Sequence, residues 1–173
     1  MSEMLHYCFL CGEALQPVPL EGRLRLVCPA CGWVHYPQLK VSAAALIEQE
    51  GKLLLVQRAY EPWKGQWYLP AGYVEVDEPP AQAADRETRE ETGLDVRANR
   101  LLDACYFDDD PRGNGVLMVY ACQIVAGSPS IRPETTAYGF FGPHQLPQPI
   151  TGAGHQQAVR DWLRAVGGGL VSG

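Results

Sequence analysis

The sequence lacks three features, and each absence narrows the field. There is no long hydrophobic run: the most apolar stretches, such as residues 41–47, fall far short of the roughly 20 residues that cross a bilayer. There is no apolar leader either, because the first ten residues include Glu3, His6 and Cys8 where a secretory signal would carry its apolar segment. Basic charge is scarce. Fourteen Lys and Arg stand against 20 Asp and Glu, a formal net charge of -6, so no general attraction to a nucleic-acid backbone is expected. No internal repeat is found. The expectation is a cytoplasmic protein with no membrane partner and no nucleic-acid partner. An acidic chain can still act on anionic substrates where a metal ion supplies local positive charge.

What is present is a chain of 173 residues, 46% hydrophobic and 20% charged. That is enough for one ordinary core and a small accessory module, and too apolar for wholesale disorder. Four of the six cysteines form two CxxC pairs, Cys8/Cys11 and Cys28/Cys31, sixteen residues apart. In a reducing compartment this pattern reads as metal binding. Two such knuckles close a tetrahedral Zn(Cys)₄ site with no open position, hence a structural zinc. A redox CxxC would expect a βαβ setting that is missing here. Between the knuckles only Arg23 and Arg25 face Glu13 and Glu21, so a packing or dimerisation role suits this segment better than nucleic-acid binding. Cys105 and Cys122 stand alone in strand-like runs and read as inert core residues.

Alternation predicts strands at residues 23–27, 41–48, 52–58, 67–70, 96–107, 116–124 and 138–141, with a hairpin turn at Glu50-Gly51. Residues 71–79 and 108–115 read as loops. Residues 80–92 read as a helix that opens at Pro79-Pro80 and closes at Gly93. A last amphipathic helix covers residues 156–166, with Val159, Trp162, Leu163 and Val166 on one face. The fold class is α+β, or a mixed sheet with a helix on each side. The expected domains are residues 1–38, residues 39–166 and a flexible tail at 167–173.

The chemistry concentrates on the first helix. Glu87, Glu90 and Glu91 lie at i, i+3 and i+4 and project from one face. Like charges so placed, near a helix C-terminus that also disfavours anions, destabilise a bare helix. Arg86 can reach Glu90 and offsets part of this; a divalent cation with hard oxygen ligands would offset more. Taken alone, the same run also suits a solvated helix laced with Arg–Glu pairs.

The stretch GYVEVDEPPAQAADRETREETGL, residues 72–94, decides between these. It resembles the Nudix box, with Gly72, Glu78, Arg86, Glu87, Glu90, Glu91, Gly93 and Leu94 in register. It departs from the usual pattern at Ala71, Asp77 and Thr88, none of which removes a metal-binding side chain. The resemblance implies a Nudix fold, a mixed β-sheet sandwiched between helices, preceded by a small zinc ribbon. It implies Mg²⁺ or Mn²⁺ held by Glu87, Glu90, Glu91 and the carbonyl of Ala71. Gly72, Glu78 and Gly93 would shape the box, and Arg86 would join the catalytic group as a brace. The general base would be Glu91, Glu87 or Glu134, the last on a later loop. Arg58, ending a predicted strand, would clamp phosphate through its planar fork. Trp63, Trp67, Tyr36, Tyr106 and Phe107 are candidates to stack on a base.

A ribbon before a Nudix domain resembles the NADH pyrophosphatases, whose SQPWPFPxS-type motif is absent here. It also resembles a set of ADP-ribose and FAD pyrophosphatases, closer at residues 31–36 and 61–65. The expected reaction is metal-dependent hydrolysis of the pyrophosphate in ADP-ribose, FAD, NADH or a nucleotide sugar, giving a nucleoside monophosphate and a phosphorylated remainder. A homodimer is expected by resemblance. Three other readings stay open: a nucleoside triphosphate pyrophosphohydrolase, a non-catalytic nucleotide-sensing module, and a prenyl diphosphate isomerase, for which no acid–base residues are identified.

Overall fold

The computed structural model describes residues 6–168. The chain divides after Gln38 into two compact units. The first contains an antiparallel sheet of β1 (Gln16–Leu20), β2 (Arg23–Val27) and β3 (Val34–His35), in that order. β1 was not expected from the sequence, because Pro17 and Pro19 interrupt its pattern. As an edge strand it tolerates them, since alternate prolines leave their missing N–H groups on one side.

The second unit is built on a seven-stranded mixed sheet. Its path runs β10 (Thr135–Phe141), β5 (Lys52–Arg58), β4 (Lys40–Gln49), β9 (Gly115–Ala126) and β8 (Asp95–Phe107). The short strands β6 (Trp67–Tyr68) and β7 (Ala71–Tyr73) attach to β5 and β4. The predicted hairpin exists, with Glu50 and Gly51 both left-handed, but its strands share only two residue pairs. Beyond them β4 pairs in parallel with β9, and β5 turns to β10. Residues 71–73, expected in a loop, instead pair with Ser42 to Ala44.

The sheet is buried on both faces. In β5, Leu53 and Leu55 join one core cluster while Leu54 joins the other, as the two-residue period requires. The first cluster includes Ala158, Val159 and Trp162 of α2 (His155–Gly168). On the opposite face Ala43 meets Ala83 and Ala84 of α1 (Pro80–Thr92). Each fully buried leucine contributes roughly 1.5–3 kcal/mol relative to exposure. Pro80 sits in the first turn of α1, and Gly93 caps its end at φ 78° with its N–H on the Arg89 carbonyl. α2 continues through Gly168, and residues 169–173 of the expected tail lie outside the described residues. Among the described residues no helix is long and apolar enough to cross a membrane.

Candidate active site

α1 and the strand before it bring the predicted residues around one cavity of about 240 Å³. Glu87, Glu90 and Glu91 line it, with Ala71 and Gly72 from β7, Arg58 from the end of β5, and Glu134. Arg58 and Glu134 meet because β10 pairs with β5: Thr135 lies opposite Arg58, and the Glu134 carbonyl accepts the Ala59 N–H.

The three α1 glutamates differ in setting. Glu91 is buried and accepts from the Tyr68 hydroxyl at 2.6 Å and the Ala71 N–H at 3.0 Å. Burial pushes its carboxyl up to about 8, against the pull of both donors. Glu87 is also raised by burial, although Arg86 works the other way. Glu90 is the outermost, with 55% of its side chain exposed.

Arg86 ties the box together. Its guanidinium donates to both oxygens of Glu78, to Glu87 at 2.7 Å, to Glu90 at 3.2 Å and to the Tyr73 carbonyl. Glu78 in turn accepts the Glu75 N–H, and the Arg86 bonds hold its carboxyl below the usual range. One planar fork with five donors suits this bridging, which a lysine could not reproduce.

The donor set fits a hard divalent cation. Backbone approaches Glu87 so closely at Gly72 that a Cβ there would stand 2.1 Å from the carboxylate. A glycine is required, and the neighbouring Ala71 can present its carbonyl beside the same carboxylates. A buried Glu91, a half-buried Glu87 and an exposed Glu90 carry more negative charge, once ionised, than Arg86 alone balances.

Several lining residues were not singled out from the sequence. Tyr68 anchors Glu91. Arg112 donates to Asp110, whose side chain is almost fully buried, and lies over the Trp63 and Tyr73 rings at 5.8 and 5.5 Å. Burial opposes ionisation of Asp110, but the bonds from Arg112 outweigh it and hold the carboxyl low. Thr151, just ahead of α2, and His155, its first residue, also line the cavity. No local periodicity marks these positions. Of the stacking candidates, Trp63 reaches the cavity, while Phe107 and Trp67 pack in the core, Tyr106 is exposed and Tyr36 belongs to the first unit.

His155 carries a pH signature. Burial, then the charge of Arg58, pushes its imidazole down to about 3. A depressed folded value means that stability is present above the ordinary histidine pKa and is lost as pH falls toward the folded value. Between pH 6.5 and 5 this should remove about 2 kcal/mol. Urea titrations should therefore show the parent losing that stability relative to a His155→Phe variant as pH falls over the interval; parallel curves would contradict a buried neutral His155.

In the first unit the four cysteine sulfurs lie within 4.8 Å of one another, with Cys8 and Cys28 buried and Cys11 and Cys31 exposed. The knuckles are alike: Gly12 donates to the Cys8 carbonyl and Gly32 to that of Cys28, both at φ near 77° and 76°. Burial works against the Cys28 thiolate, but the N–H groups of Cys31 and Ala30 outweigh it and hold the thiol down to about 7. This cluster fits a zinc ribbon. Cys105 and Cys122 lie elsewhere, and burial raises both thiols to about 12.

Comparison with known proteins agrees with this geometry. The NUDIX domain matches residues 37–163, and a zinc ribbon described as Nudix N-terminal matches residues 6–37. The chain is 32% identical over 125 residues to an ADP-ribose pyrophosphatase of Methanocaldococcus jannaschii, covering 72% of this chain and 73% of that one. It is 37% identical over 97 residues to the NAD-capped RNA hydrolase NudC of Stutzerimonas stutzeri, covering 56% of this chain but only 34% of that protein. A crystal structure of a NUDIX hydrolase from Nitrosomonas europaea superposes with a TM-score of 0.79 at 29% identity, covering 95% of this chain and 94% of that one. The chain thus belongs to the NUDIX family, as a Nudix hydrolase of pyrophosphate linkages in nucleotide derivatives that carries the family's N-terminal zinc ribbon.

Proposed function

We propose that this enzyme hydrolyses the pyrophosphate of a nucleoside diphosphate derivative of the ADP-ribose, FAD, NADH or nucleotide-sugar class, releasing a nucleoside monophosphate and a phosphorylated remainder. The observation that carries the reading is the convergence of Glu87, Glu90, Glu91 and the Ala71–Gly72 backbone on one cavity that also holds Arg58. Glu87, Glu90, Glu91 and the Ala71 carbonyl would hold Mg²⁺ or Mn²⁺, and the four ribbon cysteines a structural Zn²⁺. When bound, the catalytic metal neutralises crowded phosphate charge and lowers the pKa of water. Arg58 binds phosphate oxygens. Arg86 and Glu78 position the carboxylates. Glu134, Glu91 or Glu87, all lining the cavity, takes the proton from the attacking water at its carboxylate. Residues 1–38 serve as the ribbon and residues 39–166 as the catalytic domain of a cytoplasmic homodimer that takes a small-molecule nucleotide rather than nucleic acid.

The test is product analysis with ADP-ribose, FAD, NADH, nucleotide sugars and nucleoside triphosphates, each with Mg²⁺, Mn²⁺ or EDTA. Metal-dependent release of a nucleoside monophosphate from a diphosphate derivative is expected. Preference for triphosphates would correct the substrate class, and silence across the panel from folded, zinc-loaded protein would favour a sensing module. Gly72→Ala should lower turnover by about a hundredfold, about 2.7 kcal/mol of barrier, because its Cβ displaces the Glu87 carboxylate. Steady-state kinetics beside a thermal melt checks this, and unchanged turnover would contradict the placement of Glu87.

A further inference from the structure

Among the described residues three buried side-chain polar atoms lack a hydrogen-bond partner: Arg25 Nε, Arg58 Nε and His155 Nδ1. Two of the three belong to the lining of the catalytic cavity. Buried polar groups are ordinarily paired, and exceptions at a cavity wall mark where a ligand completes the set.

His155 opens α2 and is 7% exposed. Its ring meets Tyr68 edge-on, with centroids 5.6 Å apart. The Arg58 guanidinium lies 5.8 Å from the centre of that same Tyr68 ring, whose hydroxyl bonds Glu91. Tyr68 therefore touches a carboxylate of α1 at its tip and the two unpaired groups with its ring. The helix N-terminus is not itself the attraction. The Asp109 carboxylate already accepts the Ala153 N–H, and at Gly152 it leaves no room for a side chain. The unpaired side chains are what remain.

Their chemistry selects the ligand. Arg58 is a fixed cation that only donates. His155 stays neutral above acidic pH, since burial drives its imidazole down to about 3, so in its Nδ1–H tautomer it offers one N–H there without adding charge. Donors of this kind are satisfied by anionic oxygens, and the several oxygens of a phosphate accept such charge-assisted bonds well.

We propose that His155, together with Arg58, forms a phosphate-oxygen subsite in the floor of the catalytic cavity. The diphosphate of the substrate is then gripped by donors from β5 and α2 as well as by the carboxylate face of α1. This rests on the hydrolase reading for placing a diphosphate in the cavity. It adds that His155 touches substrate and that the second phosphate is a recognition element.

The test is equilibrium binding of the non-hydrolysable α,β-methylene analogue of ADP in Mg²⁺, against adenosine, measured by calorimetry on the full chain. His155→Phe should weaken the analogue about tenfold, equal to about 1.4 kcal/mol, and leave adenosine unchanged. His155→Asn, which keeps an N–H donor, should recover most of the affinity. Unchanged analogue affinity in His155→Phe would overturn the proposal, and so would equal weakening of adenosine, which would assign His155 to the nucleoside. If the variants fold poorly, the parent labelled with ¹⁵N-histidine answers instead. Saturating inorganic pyrophosphate with Mg²⁺ should shift the His155 Nδ1 resonance, and a fixed resonance would overturn the subsite. Neither readout needs turnover, so an inactive protein that binds the analogue through His155 would sink the hydrolase reading and leave this one standing.

Discussion

Metal-dependent turnover in a Glu90→Gln variant is expected to fall about a thousandfold, about 4 kcal/mol of barrier, with the fold intact. Of the three α1 glutamates only Glu90 offers so clean a test. It is more than half exposed, and among the described residues its one side-chain hydrogen bond is from Arg86 at 3.2 Å. An exposed pair of this kind is worth about 0–1 kcal/mol, so the melting temperature should drop by no more than about 4 °C. Removing the charge also relieves Glu87, whose carboxyl the neighbouring Glu90 helps to raise. Glu91→Gln would be a poorer experiment. Its two oxygens accept from the Tyr68 hydroxyl and the Ala71 N–H in a buried setting, and an amide has only one oxygen to serve them, so the Tyr68 hydroxyl would have to reverse its role. Kinetics with varied Mg²⁺ beside a thermal melt reads both quantities. Full turnover in Glu90→Gln would remove that residue from the metal site.

The second large effect concerns the ribbon. Cys28→Ser should unfold residues 6–37 and leave residues 39–166 folded and active. Among the described residues the buried cluster of the first unit is only Cys8, Leu15 and Cys28, with Leu26 and Trp33 packed against it. So small a core cannot offset the entropy of ordering its chain, whereas a structural zinc supplies about 10–16 kcal/mol. The second unit has its own main core of thirteen buried residues. Hydrogen exchange followed by mass spectrometry should show protection lost at β1 and β2 and kept at β4, β5 and β9, with Mg²⁺-dependent turnover retained. Protection of β1 and β2 that survives loss of the metal would contradict a zinc-held ribbon.

What was legible in the sequence was mostly what is local. α1 runs over the residues its proline start and glycine stop delimit, and the placing of Glu87, Glu90 and Glu91 on one face follows from helical spacing alone. The cysteine cluster follows from two knuckles. Partners far apart in sequence were not legible. Ala71–Tyr73 is a strand only because Gly72 lies opposite Ala43, and three residues carry no period of their own. Tyr68 matters through Glu91, His155 through Tyr68, and Asp110 through Arg112 packed on Trp63 and Tyr73. Each such contact is set by sheet pairing or loop closure. Arg58 and Glu134 lie between these extremes. The sequence offers each as a candidate, and the register of β5 with β10 puts them side by side.

The central claim is that water cleaves a phosphoric anhydride at the α1 carboxylates under control of a divalent metal. The measurement that tests it most directly is single-turnover hydrolysis of ADP-ribose in H₂¹⁸O with Mg²⁺, with the products resolved by mass spectrometry and a Glu90→Gln control. The account predicts AMP and ribose phosphate in equal amounts, one ¹⁸O on a phosphate of one product, and no reaction in EDTA or in the control. Products without label, label on carbon, or equal rates in EDTA would contradict it.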